Sequence, residues 1–319
     1  MLDAIRFTRG AIAKKDFVAE LTHFHIAKGR VTGFNGMMAL SAPIDLDLDV
    51  RPKADTFAKA MHACEETVTM HVTPTGRLSI KSGKFKALIE CFPDEQAAAP
   101  FTPAGWPVDV GPGFMAAIRA LAPFTGIDAS RPWAMGIMLQ GQSAFATNNV
   151  VFAEYWHGHN MPFPMNIPKD VVTELLRINE DPLQVLATEN SITFHFSGDR
   201  WMRSALYSDT WPEKAFQLFD MHQFQYEETP EGLFDALRKL KPFLDKETRV
   251  YFRDNGVATS TSDETGAHVE VDNLIEGPAF SFPALSLLEG STHIDFMPHP
   301  KPCGFLMENM RGMILGLRV

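Results

Sequence analysis

An α+β chain made of three copies of one unit is what this sequence predicts, and two observations carry that expectation. First, local landmarks recur at a constant spacing. "SGKFKALIECFP" opens at Ser82 and its relative "SGDRWMRSALYSDTWP" opens at Ser197, 115 positions later, each running from Ser-Gly to an aromatic-Pro pair. Second, each stretch between landmarks alternates a short amphipathic helix pattern with β-rich runs, the mixture expected of α+β domains rather than of a parallel βαβ array.

The repeats can be followed element by element. Pro52 in "VRPKADTFAKAM", Pro168 in "NIPKDVVTELL" and Pro283 in "SFPALSLLEG" lie 116 and 115 positions apart, each opening an apolar helix pattern. Proline suits a first helical turn, where its missing N–H has no intrahelical partner to lose. A β-rich run follows each: "ETVTMHV", "PLQVLAT" and "THIDFMP". Turns are expected next at Gly76, Asn190 and Gly304, with a last strand starting after Gly83, Gly198 and Gly312. The front half of each unit is read as a helix, from "KKDFVAEL" (14–21), "GPGFMAAIRALAPF" and "TPEGLFDALRKLKPFL", followed by strands such as "PWAMGIMLQG", "SAFATN" and "TRVYFRDNGVATSTS". Asn255-Gly256 marks a hairpin in the last of these. The units are placed at 1–98, 99–215 and 216–319, with the proline-bearing segments "FPDEQAAAPFTPAG" and "YEETPEG" near the joins.

Composition excludes several classes. A hydrophobic share of 45% and a charged share of 21% describe a globular chain, not a disordered one. No apolar run reaches spanning length and the start "MLDAIRFTRG" lacks a signal-peptide layout, so a cytoplasmic protein without a membrane partner is expected. Cys64, Cys91 and Cys303 are few, odd in number and scattered, which suits reduced, buried thiols rather than a disulfide framework or a zinc site. A net charge of −10 excludes an indiscriminately basic coat for nucleic acid, while leaving room for one local surface that meets phosphates.

Three stretches, taken with the repeat, resemble the bacterial DNA polymerase III beta subunit, the sliding-clamp family: "LSIKSGKFKALIECFP", "PWAMGIMLQGQSAFATNNVVFAEYW" and the terminus "MILGLRV". The resemblance runs over essentially the whole chain. It departs at Asn148, Asn149, Val150, Val151 and Phe152, where the family has Asp-Gly-His-Arg-Leu, and at a first repeat that looks shortened, as would suit a phage or another mobile element.

The resemblance implies the DNA clamp fold: three repeated domains with helices facing the ring interior and antiparallel sheets outside, closed by a head-to-tail homodimer. Such a protein encircles double-stranded DNA without reading sequence and tethers a DNA polymerase, and meets the clamp loader, through short linear peptides. It uses no cofactor and catalyses nothing. Cations on the candidate helices would face phosphates: Lys53, Lys59, Arg119, Lys169, Arg177, Arg238, Lys239 and Lys241. Taken together those helices are neutral, so the rest of the chain carries the net −10 and only weak contact is expected. Singly, each cation equally suits a solvated surface. Arg131 and Trp133 match the family's DNA-touching loop, where an aromatic beside a cation can stack on a base, although a tryptophan is also commonly core. By position, a partner-peptide groove would be lined by Ala134, Thr147, Val150, Val151, Phe152, Met313, Leu315, Leu317, Arg318 and Val319, with Phe219 at its margin.

Two rival classes remain. A clamp-like decoy would bind a partner without encircling DNA. A metal-dependent enzyme would use His157 and His159 of "YWHGHNMP", which share a face if they lie on a strand, with Glu154 and His195 as further candidates. "GPG" at 111–113 lacks the lysine of a phosphate loop, and no nucleophile elbow is present.

Overall fold

The computed structural model describes residues 1–319 apart from 16, 66, 94, 96–100, 263 and 319. One order of elements runs through the chain three times: a helix, strands, a second helix, three strands. The first pass is α1 (Leu2–Thr8), β1 (His25–Ala27), β2 (Arg30–Phe34), β3 (Met38–Pro43), α2 (Ala54–His62), β4 (Thr69–Val72), β5 (Leu78–Ser82) and β6 (Phe85–Ile89). The second is β7 (Trp106–Val108), α3 (Phe114–Leu121), β8 (Gly136–Gln140), β9 (Ser143–Thr147), β10 (Val151–Trp156), β11 (Met165–Pro168), α4 (Lys169–Ile178), β12 (Gln184–Thr188), β13 (Ser191–Phe196) and β14 (Arg200–Ala205). After a single turn, α5 (Glu213–Phe216), the third is β15 (Glu227–Glu228), α6 (Leu233–Leu240), β16 (Arg249–Arg253), β17 (Gly256–Ala258), β18 (His268–Glu270), β19 (Ala279–Ser281), α7 (Phe282–Ser286), β20 (His293–Asp295), β21 (Cys303–Met307) and β22 (Met310–Ile314).

Compactness divides the chain into two units that do not follow these thirds. The first unit comprises Met1–Val110 and Thr173–Leu206. Its main sheet has the order β1-β2-β3-β14-β13-β12-β7, with a separate sheet β4-β5-β6. The second unit comprises Gly111–Val172 and Tyr207–Val319. It holds the sheet β11-β8-β9-β10-β22-β21-β20-β15 and the smaller sheet β18-β17-β16-β19. Each large sheet therefore joins the early strands of one repeat to the closing strands of the next, and the seams are antiparallel: Leu40 faces Met202 across β3 and β14, and Phe152 faces Met313 across β10 and β22.

Helix spacing explains the cores. In α3 the buried residues are Phe114, Met115, Ala117, Ile118 and Leu121, and in α6 Leu233, Ala236, Leu237 and Leu240, each a single stripe of a 3.6-residue period. Burying one such leucine or phenylalanine contributes about 1.5–3 kcal/mol. In the second unit Phe252, Phe280 and Phe296 meet with ring centroids 5.0–5.5 Å apart.

Several expectations from the sequence need correction. The first repeat opens on α1, not on 14–21, where among the described residues only the stretch starting at Ala19 (Ala19–Thr22) forms a 3-10 turn. Phe17 is 86% exposed and Val18 53%, so the apolar side of that stretch covers nothing, and a short helix without a buried face is not stable. In α1, by contrast, Ile5 and Phe7 are buried. Gly304 does not make a turn, and Gly312 does not precede the last strand. They lie inside β21 and β22, where a Cβ would come within 2.6 Å of the Phe224 ring and 2.1 Å of the Phe305 ring. Those glycines admit close-packed aromatics, and Asn309, at φ 55°, supplies the left-handed turn before the last strand. Of the three landmark prolines only Pro283 sits within a first helical turn; Pro52 and Pro168 precede their helices.

Candidate functional site

The face of the second unit's large sheet turned away from α3 carries an apolar cluster. Strands alternate sides, so Met138 on β8, Phe145 on β9, Phe152 on β10 and Met313 on β22 share one face. All four are buried in a single cluster with Trp211 and Phe219. The last two come from a strap, residues 207–226, that joins β14 to β15 over this face and contains α5. Phe152 lies 5.4 Å from Phe219 and 6.3 Å from Trp211, and Phe145 meets Phe216 edge-on at 5.1 Å. Trp211 also packs edge-on against Trp133 at 5.2 Å. At the rim the Arg311 guanidinium sits 4.2 Å over the Phe219 ring and donates from Nε to Glu154 Oε2 at 2.7 Å. Burial pushes the nearby Tyr226 phenol up, an effect that Arg311 partly offsets. The Trp211 indole N–H is buried with no hydrogen-bond partner, an arrangement that costs about 1–3 kcal/mol.

This face gathers part of the groove expected from the sequence. Phe152, Phe219 and Met313 meet there, and Thr147 lies opposite Phe152, although its hydroxyl is spent on the Val151 carbonyl at 2.7 Å. Ala134 is buried, its carbonyl accepting the Gly126 N–H. Val151, next to Phe152, turns to the other side of the sheet opposite Ile314. Val150 is half-buried and its carbonyl accepts the Leu315 N–H; Leu315 is exposed. Leu317 is tied away from the face, its N–H donating to the Ala279 carbonyl and its carbonyl bonded to His299 Nε2. Arg318 is exposed, and Val319 lies outside the described residues. Sequence reasoning missed Met138, Phe145, Trp211 and Phe216. The signal was there in "WPEKAFQLF", a run too aromatic for a solvated linker.

The expected DNA-facing cations fall into two groups. Lys59, Arg119, Lys239 and Lys241 are exposed on or just after helices. Others have the following partners. Arg177 binds Glu174 and the Phe7 carbonyl (2.8 Å), Arg238 is held by Asp235 and Glu289, and Lys169 Nζ donates to the Gly126 carbonyl at 3.2 Å. Lys53 is the half-buried residue before α2, its N–H donating to the Glu90 carbonyl. Arg131 is exposed and donates to Asn149 Oδ1 at 2.7 Å, while Trp133 packs against the aromatic cluster rather than standing free.

His157 is buried, which holds its pKa below the usual imidazole range, and the His159 ring packs on Gly111. Among the described residues no group of three or more His, Cys, Asp or Glu side chains is placed to hold a metal, and no helix is long and apolar enough to cross a membrane.

The first unit presents a different face. Here β2 lines a cavity of about 620 Å³ with Arg51, His23, Phe101 and Trp201. Phe34 stacks on Phe101 at 5.2 Å, and Arg30 Nε donates to Ser41 Oγ at 3.0 Å.

No family model matches the chain and no curated protein resembles it in sequence. Solved structures do. The chain is similar over its full length to the DNA polymerase sliding clamp of Bacillus subtilis, with 16% identity, 97% of that chain covered and a TM-score of 0.80. It is likewise similar to a putative DNA polymerase III beta subunit of Eubacterium rectale (12%, 97%, 0.82) and to the Helicobacter pylori beta clamp bound to a DNA ligase peptide (13%, 97%, 0.77). The chain thus has the sliding-clamp fold, α+β with antiparallel sheets.

Proposed function

We propose that the protein is a DNA sliding clamp, a non-catalytic processivity factor whose two copies close head to tail around duplex DNA and tether a polymerase and its loader through a peptide groove. Its domains would be 1–98, 99–215 and 216–319, and its place the cytoplasm. The observation that carries this reading is a strand count. Two seams join the third strand of one half-repeat to the last strand of the next, β3 to β14 and β10 to β22. The third pair of that kind, β18 and β6, is left as open edges on sheets of four and three strands. A second copy supplies the missing partner for each, and a head-to-tail contact that closes leaves neither of these two edges open.

Charge supports the same pairing. Lys81, Lys84 and Lys86 are exposed on the hairpin that ends in β6, and Glu264, Glu270 and Asp272 are exposed around β18. Complementary patches of this kind steer association and set register. Arg119, Lys59, Lys239 and Lys241 offer phosphates a set of exposed cations, and the exposed ion pairs of Arg238 are weak enough to be exchanged for phosphate, whereas Arg177 is held on the buried Glu174. The aromatic face beneath the strap is the reading for the peptide groove, and a Helicobacter pylori clamp of similar fold was solved with a DNA ligase peptide bound. Light scattering of the purified chain should give twice the mass of one chain, and the protein assembled on nicked circular DNA should be retained until the circle is linearised. A monomer at all concentrations, or equal loss from circles and linear DNA, would refute the proposal.

A further inference from the structure

The strap over the second unit's sheet is attached as a ligand is attached, by side chains alone. Its ends are fixed, by the Tyr207 N–H on the Asn166 carbonyl (3.0 Å) and the Gln225 N–H on the Asp295 carboxylate (2.8 Å). Between them, among the described residues, the backbone bonds of 208–224 stay within the strap, as from Ala215 to Pro212 and from Met221 to Gln217. Lifting the strap therefore breaks no sheet ladder. What holds it is Trp211, with Phe216 and Phe219 three positions apart, set on Phe145, Phe152 and Met313. The buried Trp211 indole N–H finds no acceptor in this seat, so the strap is an imperfect occupant.

We propose that Trp211–Phe219 is an internal occupant of the partner-peptide groove, and that a partner peptide with two bulky apolar anchors three positions apart enters by displacing it. The inference rests on the reading of this face as the peptide groove. Its consequence is a regulated site, because apparent affinity is the intrinsic affinity scaled by the fraction of molecules with the strap lifted. The peptide must match the strap in chemistry: the uncovered face of methionines and phenylalanines accepts aromatic or aliphatic anchors and excludes water around them.

The test uses a fluorescein-labelled peptide of the strap's own sequence, residues 211–220, added to the full chain. Phe216 is half-buried, so Phe216→Ala should loosen the strap while circular dichroism shows the fold retained. That variant should bind the peptide about 10-fold or more tighter than the wild type. In the wild type, hydrogen exchange should show the amides of 213–221 losing protection as peptide is added. Equal affinity in the two proteins, with the strap amides still protected at saturation, would overturn displacement while leaving the groove reading in place. Absence of binding to either protein would overturn the groove reading and this inference with it.

Discussion

Two strands at the same place in the repeated order, β2 in the first unit and β9 in the second, meet water very differently. In β2, Arg30, Thr32 and Phe34 are half-buried and alternate with buried Val31 and Gly33, whereas all five residues of β9 are buried. The backbone framework is shared, so the outward side chains decide the difference. Arg30 and Thr32 both reach Ser41 Oγ and line an open cavity. Phe145, with Phe152 and Met313 beside it, demands a cover, and the strap supplies one. The comparison teaches that an outer sheet face in this fold is a surface or a lidded site according to a few residues that point away from the helices.

The largest effect should come from removing a floor residue under the strap. Phe152→Ala is expected to cost about 3–5 kcal/mol in urea unfolding, while Phe34→Ala on the open face should cost roughly 1 kcal/mol, since that ring is already half in water. Equal costs would erase the distinction between the two faces.

Acid should weaken both units through one histidine in each, His157 buried and His195 half-buried. Burial lowers the pKa of His157 in the second unit and of His195 in the first, below the unfolded value of 6.5. The unfolded chain then binds protons that the folded chain refuses, so stability falls as the pH drops below about 6.5. Urea midpoints measured from pH 7.5 to 5 should decline, and less steeply in His157→Gln; an unchanged slope would remove that group from the account.

The smallest effect distinguishes the thiols. Burial pushes Cys303 in the second unit up to about 12, whereas Cys64 and Cys91 in the first are half-buried. Iodoacetamide at pH 8 should leave Cys303 unmodified in the native protein while labelling Cys64 and Cys91 slowly.

Much of the framework was legible because it is local. The constant spacing located α2, α4 and α7, and Asn255 with its positive φ closes the expected hairpin. The errors arose where one residue type serves two purposes. Gly304 read as a turn and Gly312 as the residue before the last strand, yet they make room for Phe224 and Phe305, a contact that only tertiary packing reveals. The helical period of 14–21 could not announce that no surface would cover it. The aromatic cluster was half legible: Phe152, Phe219 and Met313 were singled out by resemblance, but their meeting depends on Trp211 reaching Phe152 from far along the chain. Which cations were already held, as Arg238 is by Asp235 and Glu289, was equally non-local.

Pairing of β6 with β18 of a second copy is tested most directly by exchanging charge across that seam and weighing the result by light scattering. Lys86→Glu and Glu270→Lys should each shift the dimer toward monomer, more so at low salt, and the two together should restore it. A dimer indifferent to all three changes, or a wild-type chain that never dimerises, would contradict the account.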